Sequence, residues 1–445
     1  MIEVRGKYTN ARVMIDSIDE ETMSQITQFV NHPAFTNQVA IMSDTHAGKG
    51  CVIGFTMPMT SKIIPNVIGV DIGCGMLSLN LGKTLPMSLD RLDAFIRARI
   101  PFGTDVHDQS FLDMREFPWH KANVLAEKFI MAYSSVFNIH LDTPRYDMDW
   151  FTKKCRDTGA DLGRAIKSIG TLGGGNHFLE TGLSGQGDYW FTIHSGSRNF
   201  GKHVCDYWQD CAVSSLRQSR KVNIQEEIEK IKKETSDGKE IYRRIKELKA
   251  QAKEHNTSVK SIKSNGLEWL DGDAAIGYLY DMIFAQVYAE VNRACMGRIV
   301  CDILKIEPVV TIETIHNYID FKDFIVRKGA IRAYIGEQII IPFNMRDGIL
   351  LCEGKSNQEW NCSAPHGAGR VLSRGQARRQ LNLETFKKQM EGIYSISVGR
   401  STLDESPDAY KDSKLIEQAI EPTVTILDHI KPLQNMKDSS EADRD

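Results

Sequence analysis

PNVIGVDIGCGM, Pro65 to Met76, sets a carboxylate and a thiol three residues apart, Asp71 and Cys74, among glycines and directly behind an apolar run. Glycine tolerates backbone angles closed to other residues, so the pattern reads as an apolar element that delivers two polar groups into a tight loop. The same construction recurs along the chain. TLGGGNHFLE puts Asn176 and His177 behind three glycines, and WFTIHSGSRNFG puts His194 at the end of an apolar strand. ETIHNYIDF supplies His316, and SAPHGAGRVLSR supplies His366. Each taken alone has an ordinary explanation, a hydrogen-bonded histidine closing a strand or a glycine turn. Together, one aspartate, one cysteine and several histidines beside closely approaching backbone fit a transition-metal site better than a packed core.

The rest of the chain sets the frame for such a site. Its 445 residues, 41% of them hydrophobic, are ample for one large domain or two. The net charge of −3, from 55 basic and 58 acidic residues, leaves any attraction to nucleic acid to local basic patches. MIEVRGKYTN carries no apolar signal-peptide core, and no run of about 18 apolar residues occurs, so a cytoplasmic protein without a membrane partner is expected. Nine cysteines, odd in number and scattered, make no disulfide framework and leave a single cysteine free to ligate metal. A thiolate can bridge two cations while a carboxylate and imidazoles complete each coordination sphere; these donor types leave zinc, manganese and iron all open.

Glycine punctuation and apolar spacing predict an α+β fold with polar residues carried on glycine-rich loops. Strands are expected at Gln38 to Met42, Val67 to Val70, Trp190 to Ile193 and Ile339 to Pro342. Helices are expected at Leu89 to Arg99, Trp119 to Phe137 and Ala274 to Cys295. From Ser214 to Ser264 the chain holds 14 Lys or Arg and 8 Asp or Glu, with Ile224, Ile228, Ile231, Ile241, Ile245 and Leu248 at helical spacing. That reads as a charged helical hairpin turning near Gly238, either a solvated helical face or a contact for nucleic-acid phosphates or a partner. A polar tail, residues 438–445, is expected to be disordered.

VDIGCGM, LGGGNHFLE, IHSGSRNFG, HNY and HGAGRVLSR resemble, in order, the signature blocks of the RtcB family of RNA ligases. MSDTHAGKG, RKGAIRAYIGEQIIIP and AYKD extend the resemblance over nearly the whole chain. It implies a single domain over residues 1–437, with mixed β-sheets around a deep metal-containing cleft and the 214–264 hairpin within it. It implies GTP as co-substrate, two Mn(II) ions per active site, and joining of RNA 3′-phosphate or 2′,3′-cyclic phosphate ends to 5′-hydroxyl ends. By the resemblance Cys74 bridges the ions, with Asp71 and His177 on one and His194 and His316 on the other. His366 is then the nucleophile that accepts GMP, and Asp44 orients it, although an aspartate in SDTH also suits a turn cap. Asn176, Glu180, Gly367, Ala368, Gly369, Tyr410 and Lys437 match nucleotide-binding positions. Arg198, Arg370 and Arg374 match positions for phosphate or the RNA end, a role that bidentate guanidinium geometry suits. The implied partners are broken tRNA or rRNA ends in RNA repair, with room for an accessory repair protein.

The chain departs from the family at PFNMRDG, Pro342 to Gly348, where many members read PGSMG. Phe343, Asn344 and Arg346 replace small residues of the nucleotide pocket there, and the tail beyond Lys437 is also unusual, which suggests a divergent branch. Two other functions would use the same ligands: a two-metal phosphoesterase, and a non-catalytic sensor of RNA ends. His366 separates them, because only the ligase needs a histidine free of metal to carry a nucleotide.

Overall fold

The computed structural model describes residues 1–219, 224–235, 237–261 and 264–440. Its centre is an antiparallel seven-stranded sheet in the order Gln338–Pro342, Ile349–Gly354, Val424–Met436, Phe178–Leu183, Tyr189–Ser195, Gly75–Gly82 and Val310–Ile315. A second, six-stranded sheet runs Ile2–Arg5, Asn10–Val13, Val39–Ile41, Phe55–Pro58, Ile325–Lys328 and Asn317–Ile319, mixed because its second and third strands pair in parallel. A two-stranded ribbon, Ala330–Arg332 with Ser363–Pro365, carries the chain toward His366. The α+β architecture is therefore as the sequence predicts.

Strand alternation explains how the large sheet keeps a dry face. Leu77, Leu79 and Leu81 point to one side of the Gly75–Gly82 strand and pack on Met296, Ile299 and Val300, while Met76 points to the other side and joins Phe178, Trp190 and Ile312. Burying each such leucine stabilises the fold by about 1.5–3 kcal/mol. The packing partner is the helix Gly272–Leu304, 33 residues long and buried around most of its circumference. It runs past both ends of the expected Ala274 to Cys295 segment, since a helix apolar on nearly all sides belongs in the interior. A helix over Trp119–Phe137 matches the expectation, and Leu89–Arg97 stops two residues short of it.

One expected strand is absent. Val67 to Val70 falls instead on a short helix, Pro65–Ile68, all of whose residues are buried. Pro65 sits at the start of that helix, where its fixed φ fits and its missing N–H costs nothing, and Gly69 ends it at φ 118. The charged segment forms two helices, Ile224–Glu234 and Gly238–Ser261, packed on each other as a hairpin. Its first residues belong to the preceding helix, Arg198–Ser219, which the sequence pattern does not announce. Residues 441–445 of the expected disordered tail lie outside the described residues. Among the described residues no helix is long and apolar enough to cross a membrane, and all nine cysteines are free.

Candidate metal centre and nucleotide pocket

The proposed ligands come from strand ends and the loops that follow them. Gly75 pairs with Ser195 on one side and Ile315 on the other, so Cys74, His194 and His316 emerge side by side at one end of three neighbouring strands. His177 precedes the adjacent Phe178–Leu183 strand, and Asp71 lies in the turn that leads to Cys74. Two triads result, Asp71–Cys74–His177 and Cys74–His194–His316, each with its ligand atoms within 4.8 Å of one another. Cys74 is common to both.

The separations suit donors that share a cation. Cys74 Sγ is 3.5 Å from His177 Nε2 and 3.4 Å from His194 Nε2, His177 Nε2 is 3.1 Å from Asp71 Oδ2, and His194 Nε2 is 3.3 Å from His316 Nε2. Donors about 2.1 Å from a tetrahedral ion stand about 3.4 Å apart. His177 Nδ1–H donates to the Leu172 carbonyl at 2.9 Å, which turns Nε2 toward the cluster. Burial, and then neighbouring histidines, push the His194 and His316 imidazoles well below their ordinary pKa, so two neutral rings face each other nitrogen to nitrogen. Burial raises the Cys74 thiol, as does Asp71, whereas Arg293 opposes that rise. Asp71 stays below its ordinary value despite burial, through the hydrogen bond and charge of His177 and the charge of Arg198. A bound cation would resolve this arrangement, supplying positive charge beside the buried Cys74 sulfur and a shared partner for the facing imidazoles. The residues thus fit a metal site built from two triads that share Cys74.

His366 stands beside this cluster and outside both triads. Its ring centroid is 4.6 Å from that of His316. Its Nδ1 lies 2.6 Å from Asp44 Oδ2, an oxygen that also accepts the His366 backbone N–H at 3.2 Å. Asp44 is fully buried, and Lys411 Nζ donates to the carbonyls on either side of it, Ser43 at 2.9 Å and Thr45 at 2.6 Å. Gly369 closes over this loop at φ +74, where a Cβ would come within 2.0 Å of the Asp44 carbonyl oxygen. His46, from the same loop, is pushed down to about 4 by burial and lines the cavity with His366.

That cavity, about 230 Å³, is also lined by Asn176, Glu180, Gly367, Ala368, Gly369, Tyr410 and Lys437, the residues expected on the nucleotide. Arg370 and Arg374 line it too; Arg198 does not, its Nε donating to Thr171 Oγ1 and its Nη2 to the Gly103 carbonyl, both at 3.0 Å. Phe343 forms part of the wall, 4% exposed and edge-on to His429, whereas Arg346 makes two parallel bonds to Asp347 at 2.7 and 3.0 Å and is not among the lining residues.

Acidic residues that carry no mark in the sequence hold the basic ones. Arg374 Nη1 meets Asp404 at 2.6 Å and Glu405 at 2.7 Å, Lys437 Nζ meets Glu405 at 2.7 Å, and Tyr410 donates to Glu405 at 2.8 Å. Burial would raise the Glu405 carboxyl, but Lys437, Arg374 and Arg370 together hold it well below the usual carboxylate range. Asn435 is likewise unmarked; its Nδ2 donates to Glu180 Oε2 at 2.8 Å inside the cavity wall. The one signal in the sequence is position: Asp404 and Glu405 immediately precede the SPDAYKD run, and Asn435 lies two residues before Lys437.

Comparison with known proteins finds relatives along almost the whole chain. A family model described as tRNA-splicing ligase RtcB matches residues 25–438. The chain is 27% identical over 433 residues to the RNA-splicing ligase RtcB of Escherichia coli, covering 92% of each protein. It is 24% identical over 473 residues to a tRNA-splicing ligase RtcB of Archaeoglobus fulgidus, covering 92% of this chain and 89% of the relative. It is 26% identical over 445 residues to RNA-splicing ligase RtcB homolog 1 of Entamoeba histolytica, covering 88% of this chain and 79% of the relative.

Proposed function

The chain belongs to the RtcB family of RNA-splicing ligases, and from that premise we propose that it is a GTP- and manganese-dependent ligase working through a histidine–GMP intermediate. Its substrates are RNA 3′-phosphate or 2′,3′-cyclic phosphate ends and 5′-hydroxyl ends, as left in broken tRNA or rRNA. The observation that carries the reading is His366: a histidine packed against the proposed ligand His316, outside both ligand triads, and anchored at Nδ1 by a buried aspartate.

In this reading Asp44 holds the proton on His366 Nδ1, so that Nε2 presents its lone pair to the cavity. Nε2 bonds to the α-phosphorus of GTP as the bond to the β-phosphate oxygen breaks and pyrophosphate leaves. GMP then passes to an oxygen of the RNA 3′-phosphate, which frees the imidazole; a cyclic end is first opened by water. The 5′-hydroxyl attacks that activated phosphorus, forming the phosphodiester and releasing GMP. Asp71, Cys74, His177, His194 and His316 would hold manganese, which when bound neutralises phosphate oxygens and polarises the attacked phosphorus. Glu180 and Lys437 face the base, while Arg370 and Arg374 exchange their bonds to Asp404 and Glu405 for phosphate oxygens.

The test is labelling with α-phosphate-labelled GTP and manganese, followed by denaturing electrophoresis. A covalent label that is lost in His366→Ala is expected. No label in the wild-type chain, with RNA ends hydrolysed or only bound, contradicts the reading in favour of a phosphoesterase or an end sensor.

A further inference from the structure

We propose that Arg293 is the positioning residue of the metal centre, one guanidinium that fixes the three chain segments carrying Cys74, His194 and His316. The inference rests on the metal reading above and adds a residue to it. Arg293 comes from the buried Gly272–Leu304 helix and is itself 0% exposed. Its Nη1 donates to the Gly73 carbonyl at 2.8 Å and to the Ser195 carbonyl at 2.9 Å. Gly73 immediately precedes Cys74, and Ser195 immediately follows His194. On its other side the guanidinium pairs with Glu313 Oε1, 2.9 Å from Nε and 2.8 Å from Nη2; Glu313 lies three residues before His316 on the neighbouring strand.

Backbone bonds past the ladder join the Cys74 and His316 segments, with His316 N–H on the Cys74 carbonyl at 2.9 Å and Gly73 N–H on the Asn317 carbonyl at 2.8 Å, but they leave the Gly73 carbonyl to the arginine. Pairing in the ladder begins at Gly75, so the Gly73 carbonyl falls beyond its end and is taken up by the arginine. The preceding residue, Asn292, extends the clamp: its Oδ1 accepts the backbone N–H groups of Gly170 at 2.8 Å and Thr171 at 3.1 Å, and its Nδ2 donates to the Gly196 carbonyl at 3.0 Å. That ties the loop leading to His177 to the same helix. A planar fork with five donors can serve two carbonyls and a carboxylate at once, which a lysine ammonium at the end of a flexible stem cannot match in geometry. The pairing with Glu313 also keeps the clamp electrically balanced beside a site meant for cations.

Outer partners of metal ligands are commonly worth about 10–100-fold in metal affinity. The experiment is titration calorimetry of the metal-stripped full chain with Mn(II), together with the visible absorption of its Co(II) form, which reports thiolate and imidazole ligation directly. Arg293→Lys is expected to melt close to the wild type yet bind Mn(II) about 10–100-fold more weakly, with a weakened thiolate-to-cobalt band. Wild-type affinity and spectrum in a folded Arg293→Lys chain overturn the proposal. If that chain does not fold, Glu313→Gln, which leaves the two carbonyl bonds possible but removes the charge anchor, is expected to weaken Mn(II) binding, and unchanged affinity there overturns it as well. A wild-type chain that binds no Mn(II) or Co(II) overturns the metal reading itself, an outcome distinct from equal binding by wild type and variants.

Discussion

Glu180 keeps one carboxylate oxygen on Asn435 and leaves the other, like Asn435 Oδ1, buried and without a hydrogen-bond partner among the described residues. Two adjacent acceptors in a cavity wall suit a ligand edge carrying adjacent N–H donors, as guanine does. Burial pushes the Glu180 carboxyl from 4.5 up to about 8, against the opposing influence of Asn435 and Lys437. A carboxyl raised on folding binds more protons in the folded than in the unfolded chain, so its contribution to stability falls as pH climbs from its ordinary value toward 8. Binding a base through its N–H groups demands the ionised form and expels that proton. GTP affinity of the non-reacting His366→Ala chain is therefore expected to rise between about pH 6 and about pH 8, by at most about tenfold per pH unit, with Glu180→Gln flattening the dependence. A flat wild-type profile in a calorimetric series contradicts this account of Glu180. His177, His194 and His316 are legible in the sequence because polar residues stand out against glycine loops and apolar strand ends. Asn435 and Glu405 are not, because an amide in a strand or an acid two residues before a proline carries no local mark of burial; only the tertiary fold brings them to the cavity.

The elements divide the same way. Strand ends that carry ligands are readable because alternation and glycine punctuation are local, and the interior helix is readable because its apolar character is continuous. Pro65–Ile68 defeats that reasoning: an apolar run of four says nothing about period, and the proline that starts a helix looks from the sequence like a boundary before a strand. The charged hairpin is recognisable as helical, but its role turns on pairing that composition hides. Arg243 bridges Glu240 and Glu247, Arg244 meets Glu234, and Lys230 meets Glu227, so several of its cations already have acidic neighbours within the hairpin. We expect Lys232→Gln, Lys233→Gln and Lys246→Gln combined to leave RNA affinity within about twofold of wild type and the salt dependence of binding unchanged. A salt slope reduced by about three, one for each lysine that had neutralised a phosphate, would mark the hairpin as an RNA-binding arm instead.

At the scale of the whole molecule, the two large sheets serve one junction. The seven-stranded sheet brings in Cys74, His194 and His316 at the ends of adjacent strands, with His177 from the next strand along. The six-stranded sheet supports the Asp44 loop, which follows its Val39–Ile41 strand, and the small ribbon delivers His366 onto Asp44. The proposed ligands and the proposed nucleophile thus come from different parts of the fold, which explains how a histidine can stand against the cluster without joining it. In the proposed site Cys74 is shared by two ions while His366 ligates neither. Anomalous diffraction at the manganese edge, from crystals of the wild-type chain grown with Mn(II), tests it most directly. Two peaks flanking Cys74 Sγ are expected, one against Asp71 and His177 and the other against His194 and His316, with His366 still on Asp44. A single peak, or a peak ligated by His366, would contradict it.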